Sequence, residues 1–83
     1  MILHIYSIFD NKARAYLPPF FMVNDQVAYR AFADAVADPS HQFSKNPNDY
    51  CLYCIGSFDD STGGILSAEV HENLGLAAQF SRD

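Results

Sequence analysis

Cys51 and Cys54 stand at the C-x-x-C spacing used by redox couples and by half of a zinc site. A redox couple places its first cysteine at a helix N-terminus, where the local field lowers the thiol pKa. Here both cysteines fall within residues 50–58, a run of rings and branched side chains that reads as a strand, and positions three apart on a strand point to opposite faces. A structural zinc also needs two further ligands, and the chain has only two cysteines. The pair is therefore expected to be free thiols. The segment Asp59-Asp60-Ser61-Thr62-Gly63-Gly64 invites comparison with a calcium loop, with oxygen side chains at positions one and three and glycine at six. Position five, however, is Gly63, and position twelve is Val70 where a bidentate Glu is required. The segment reads as a hairpin turn. His4, His41 and His71 are scattered, His71-Glu72 lacks the second histidine of a zinc-protease helix, and no sharp turn presents a serine. These residues predict no enzyme, no metal and no cofactor.

The remaining chemistry is contact with a polyanion. Ten acidic residues against five basic ones give a net charge of −5, whereas nucleic-acid binders usually carry a basic patch that displaces counterions from phosphates. The basic residues are Lys12, Arg14, Arg30, Lys45 and Arg82. If DNA is contacted, Lys12, Arg14, Arg30 and Lys45 must do it, with Tyr16 available to stack on a base. Lys12 and Arg14 would share one face of an extended segment. The plainer alternative is that the cations are solvated surface charges and that Tyr6, Tyr16, Tyr29, Tyr50 and Tyr53 are core or interface rings.

The elements that must position these residues follow from periodicity. At 83 residues the chain is one domain, residues 1–83, and its 49% hydrophobic and 14% aromatic content is too apolar for disorder. Residues 2–9 read as a strand, Asp10-Asn11 as a turn, and residues 12–16 as a return strand or an extended arm. Pro18-Pro19 forbids helix and removes two backbone donors. Residues 20–23 make a short apolar strand. Asn24 or Asp25 is placed to cap a helix whose apolar stripe is Ala28, Ala31, Phe32, Ala35 and Val36, with Pro39 stopping it at about Asp38. Arg30 and Asp34 form an i,i+4 pair on the other side.

Residues 40–48 read as a loop, 50–58 as a strand apolar on both faces, and 65–70 as its partner. Asn73 is placed to cap a short terminal helix over residues 74–80, weakened by Gly75. The predicted fold class is α+β: one principal helix, about residues 25–38, packed on a small antiparallel sheet with a hairpin around 59–64. A strand apolar on both faces needs a cover, which predicts a homodimer built on Tyr50, Leu52, Tyr53, Ile55 and Phe58. No apolar run approaches the roughly 18–20 residues needed to span a bilayer, and the N-terminus lacks the features of a signal peptide. Two cysteines without a leader point to a reducing cytoplasm.

A set of segments in fixed order carries a resemblance. They are Ile5-Tyr-Ser-Ile-Phe-Asp10, Tyr16 with Pro18-Pro19-Phe20, Asn24-Asp25, Ala28 with Arg30 and Phe32, and Asp38-Pro39. Then come Pro47, Asp49-Tyr50, Leu52-Tyr53, Ile55-Gly56, Phe58-Asp59-Asp60 with Gly63, and Asn73-Leu-Gly-Leu-Ala77. From Leu3 to about Phe80 the chain resembles the small nonstructural protein of gokushoviruses, the single-stranded DNA phages of the Microviridae. By genome position such proteins are compared with the C protein of the isometric phages. The resemblance implies a viral accessory protein, absent from the mature particle, that acts in DNA replication or single-strand DNA packaging in the cytoplasm of the bacterial host. It implies single-stranded DNA and phage replication or procapsid proteins as partners, and it supplies no catalytic residues. The alternative is a protein-only adaptor or scaffold that binds a replication or procapsid protein without touching DNA.

Overall fold

A computed structural model of the chain describes residues 1–80. The elements run β1 (Ile2–Asp10), β2 (Ala15–Tyr16), β3 (Phe20–Met22), α1 (Asp25–Ala37), α2 (Gln42–Lys45), β4 (Tyr50–Asp59), β5 (Gly64–Leu76) and α3 (Ala77–Phe80). All strands pair antiparallel in the order β2-β1-β4-β5, with β3 also pairing with β1. The break between β2 and β3 has a local cause. Leu17 still donates its N–H to the Ile8 carbonyl at 2.8 Å, but Pro18 and Pro19 have no N–H to continue the ladder.

The α+β expectation of a principal helix on a small sheet is corrected by this architecture. Of the described residues 46% are strand and 26% helical, and the sheet curls into a half-barrel that dominates the fold. The largest departure lies at residues 64–76, where a short strand followed by a helix was predicted. β5 instead runs for thirteen residues, and α3 is a single turn of four. Asn73 spends its side-chain oxygen on the Gly75 N–H at 3.0 Å and on the Cys51 thiol at 3.2 Å, so it does not cap a helix. Gly75 sits at φ 141°, which a helix cannot contain.

One face of the sheet carries the core. Tyr6 and Ile8 of β1 and Tyr50 and Leu52 of β4 pack with Ala28, Phe32 and Val36 of α1 and Phe43 of α2. That is the apolar stripe read from the sequence, and α1 ends at Ala37, one residue before the expected stop. Its start is fixed by Asn24, whose side chain accepts the Val27 N–H at 2.9 Å. The Tyr6 hydroxyl donates to Asp25 at 2.6 Å and ties the buried centre of β1 to the first turn of α1. Burial, then the hydrogen bond and charge of Asp25, hold the Tyr6 phenol well above its ordinary pKa.

The opposite face has no helix over it, yet Ile5, Ser7 and Cys51 are buried there. There the Ser7 hydroxyl donates to the Leu17 carbonyl at 2.6 Å and the Cys51 thiol to the Asn73 side-chain oxygen at 3.2 Å. The β1–β4 register shifts between Ile5 and Tyr6, leaving Ile55 as the extra residue, and the β4–β5 register shifts on both sides of Tyr53-Cys54. Such bulges bend a strand and increase its twist.

Candidate nucleic-acid interface

Residues 11–14 join β1 to β2 as a tight turn and not as the extended segment expected from the sequence. The Asp10 carboxylate accepts the N–H groups of Lys12 at 2.9 Å and Ala13 at 3.1 Å, and the Arg14 N–H closes on the Asp10 carbonyl at 2.7 Å. Arg14 takes φ 58°, in the left-handed region that costs a branched or long side chain about 1–2 kcal/mol. Lys12 and Arg14 therefore project from a turn and do not share one face of a strand.

That turn is pinned to a second loop. The Asn11 N–H donates to the Asp49 carbonyl at 2.8 Å, the Asp49 N–H to Asn46 at 3.0 Å, and the Ala78 N–H to Pro47 at 2.9 Å. The consequence is that Lys12 and Lys45 line one polar cleft of about 270 Å³, together with Asn46, Asn48 and Asp49. Lys45 ends α2, whose single turn was expected to be loop; His41 caps it by accepting the Phe43 N–H at 3.1 Å.

Arg30 is exposed on α1 and lines no part of this cleft. Its expected pairing with Asp34 does not form: among the described residues the one ion pair is that of the Met1 ammonium with Asp60, at 2.8 Å. Lys12, Arg14, Arg30 and Lys45 are thus all without a carboxylate partner among the described residues. Arg82 lies outside them.

Tyr16 begins immediately beyond the basic turn and is 42% exposed. Its ring stands edge-on to Phe9 at 4.9 Å, to Tyr53 at 5.9 Å and to His71 at 5.3 Å. These four rings form an aromatic patch on the helix-free face of the sheet. The patch draws on β1, β2, β4 and β5, so sequence spacing alone gives no sign of it. The sequence singled out Tyr16 and missed its neighbours Phe9 and His71.

The two thiols lie on opposite sides of the sheet, as strand spacing requires. Cys54 packs against the helix-side core, while Cys51 donates to Asn73 on the other face. Burial pushes both thiols above their ordinary pKa, against smaller lowering effects from hydrogen bonds of Tyr53 and Gly75 at Cys51 and of Gly56 at Cys54. A thiol held protonated is a poor nucleophile and a poor metal ligand. The Asp59–Gly64 turn spends its oxygens internally: the Asp59 carboxylate accepts the Ser61 N–H at 2.9 Å, Thr62 accepts the Gly64 N–H at 3.1 Å, and Asp60 holds the N-terminus. Among the described residues no three His, Cys, Asp or Glu side chains stand together as a metal cage would require.

Of the residues expected at a dimer interface, Tyr50 and Leu52 are buried in the chain's own core, which leaves Tyr53, Ile55 and Phe58 half-buried. The most exposed apolar side chains of the sheet lie instead on β5, at Ile65, Leu66 and Val70. An apolar cleft of about 220 Å³, between Phe20 and Met22 of β3 and Ala31 and Ala35 of α1, was likewise not legible in the sequence. No helix of the described residues is long and apolar enough to cross a membrane.

Comparison with known proteins bears on this arrangement at the level of the family. No curated protein and no solved structure matches the chain. Residues 3–80 match the family described as phage ORF5 protein, a span that takes in every strand and helix named above except the first residue of β1. This small phage protein belongs to the phage ORF5 protein family.

Proposed function

We propose that the protein is a nonstructural accessory factor of a gokushovirus-type phage, acting in viral DNA replication or single-strand DNA packaging in the host cytoplasm, and working as a homodimer. The family match over residues 3–80 supports a small phage protein, and the resemblance of the ordered sequence segments points to the gokushovirus type. The observation that carries the DNA contact is the convergence of Lys12 and Lys45 on one cleft, neither paired with a carboxylate, with the half-exposed ring of Tyr16 on the strand that follows the Lys12 turn.

In this reading the cleft takes a backbone phosphate and an adjacent base rests on the aromatic patch. Base–aromatic stacking is worth about 1–3 kcal/mol and is indifferent to sequence, as an accessory protein on a whole genome requires. A duplex hides its base faces, so single strands are preferred. Two lysines neutralise at most two phosphates, so the salt slope of binding should be shallow, about −1.4 on a log–log scale. The net charge of −5 further limits affinity and restricts contact to this end of the molecule.

The protein-only adaptor is the second reading, and the exposed apolar residues of β5 favour it. Binding of a labelled single-stranded oligonucleotide at two salt concentrations, with a Lys12→Ala/Lys45→Ala variant alongside, decides between them. Salt-sensitive binding lost in the variant supports DNA contact. No binding at low salt leaves the adaptor.

A further inference from the structure

We propose that a single DNA strand held at the Lys12 end continues along the helix-free face of β1 to a second base-stacking position, formed by Phe21 of β3 and Phe58 of β4. This rests on the DNA reading above and extends it from one contact to a path. β1 and β4 oppose Phe9 to Cys51, Ser7 to Tyr53, Ile5 to Gly56 and Leu3 to Phe58, while β1 and β3 oppose Ile5 to Phe21. Directly opposed residues share a face, and alternate residues of a strand return to it. Leu3, Ile5, Ser7 and Phe9 therefore form one row on the helix-free side. Tyr16 is paired with Phe9 at one end of the row, and Phe21 and Phe58 flank its other end. The Phe21 and Phe58 rings stand edge-on with centroids 5.5 Å apart, although β1 runs between their strands. Phe21 is 43% exposed, as Tyr16 is 42% exposed, so each end of the row presents a half-exposed ring braced by another.

Charge and relief favour a nucleic-acid strand on this row. The chain carries a net charge of −5, yet none of these opposed residues of β1 and β4 is charged. Asp10 and Asp59 end the two strands, but the turns that follow occupy their carboxylates: Asp10 accepts the Lys12 and Ala13 N–H groups and Asp59 that of Ser61. Glu72 of β5 opposes Cys54, on the helix side. A polyanion that the molecule as a whole repels can thus follow β1 and β4 without meeting a free carboxylate. Charge confines phosphate neutralisation to the Lys12 end, whereas stacking on a ring needs no cation. Between the two ring groups lie Ser7, which is buried, and Gly56, which has no side chain. The rings are therefore two separate supports and not the continuous apolar core that a protein partner buries. Strand rise sets the Leu3–Ile5 end about 13–20 Å from Phe9. Stacked neighbouring bases are only about 3.4 Å apart, so the two supports take bases several nucleotides from each other.

The test uses the full chain and an oligothymidylate of about 16 residues, the upper end of site sizes for small single-strand-binding domains. Phe21→Leu keeps an apolar side chain and removes the ring. It should bind about 5–150-fold more weakly, the loss of one stacked base, with the salt slope unchanged because no cation is removed. Phe21→Trp supplies a second readout that tolerates any instability of the leucine variant. The native chain contains no tryptophan, so the emission reports this position alone. That emission should be quenched by the oligonucleotide over the same concentrations at which anisotropy rises. Native affinity in Phe21→Leu, or unchanged Phe21→Trp emission at saturating DNA, would remove the second stacking position. If native binding remained salt-sensitive and lost in Lys12→Ala/Lys45→Ala, the first contact would still stand. No binding by the native chain at low salt would remove both and leave the face to a protein partner.

Discussion

The phenolic oxygen of Tyr16 lies 2.9 Å from Nδ1 of His71, although β2 and β5 are the two edges of the sheet and β1 and β4 lie between them. A flat sheet with strands about 4.8 Å apart would hold these edges too far apart for such a bond. The pair therefore marks the curl of the half-barrel and closes it across the helix-free face. On the same face Ser7 is 1% exposed, its hydroxyl donating to the Leu17 carbonyl at 2.6 Å.

Removing that clasp should loosen the curl. Tyr16→Phe deletes the hydroxyl and keeps the ring, so it should lower stability by about 0.5–1.5 kcal/mol, the net value of one hydrogen bond. His71→Ala should cost more, because the ring contact with Tyr16 goes as well. Urea unfolding of the two variants against the native chain checks the order.

Gly56 is required by close approach. A Cβ added there would run into the Leu66 carbonyl oxygen of the neighbouring strand. Because the obstacle is backbone, Gly56→Ala must push β5 away from β4, at a cost of about 1–3 kcal/mol. The loss should appear in the denaturation midpoint, with amide exchange accelerated in residues 64–67 and not in α1.

Asn24→Ala removes the oxygen that accepts the Val27 N–H and should destabilise the protein by about 0.5–2 kcal/mol. Asn24→Asp keeps the acceptor and should restore most of that loss in the same denaturation experiment.

How much of this was legible in the sequence depended on where each residue found its partners. α1 was readable because its cap and its stripe are local: Asn24 acts on Val27, and Ala28, Phe32 and Val36 recur at helical spacing. The course of β5 was not. Asn73 is chemically able to cap a helix, and only the presence of Cys51 on the adjacent strand shows why its oxygen is used otherwise. The candidate site divides in the same way. Lys12 and Lys45 were recognisable as cations, but their convergence depends on the Asn11–Asp49 backbone bond between distant loops. Arg30 had no such link and stands alone on α1.

Alkaline pH should weaken the fold. Burial raises the Cys51 and Cys54 thiols above their ordinary 9.0 and the Tyr6 phenol above its ordinary 10.0. The folded chain therefore holds these protons after the unfolded chain has released them. Their contribution is fully present below about pH 9 and is lost as pH rises from there through the raised folded values. The urea midpoint should fall between pH 8 and pH 10.5, and Cys51→Ser should reduce the fall.

Fluorescence anisotropy of a labelled oligothymidylate reads out the proposed single-strand DNA contact of Lys12 and Lys45. Titrations of the native chain and of Lys12→Ala/Lys45→Ala are compared at low and at moderate salt. Native binding should weaken with salt at a slope of about −1.4. The variant should lose both the binding and the slope while its circular dichroism spectrum stays native. Binding of equal strength and equal slope in the double variant, or no native binding at low salt, would contradict it.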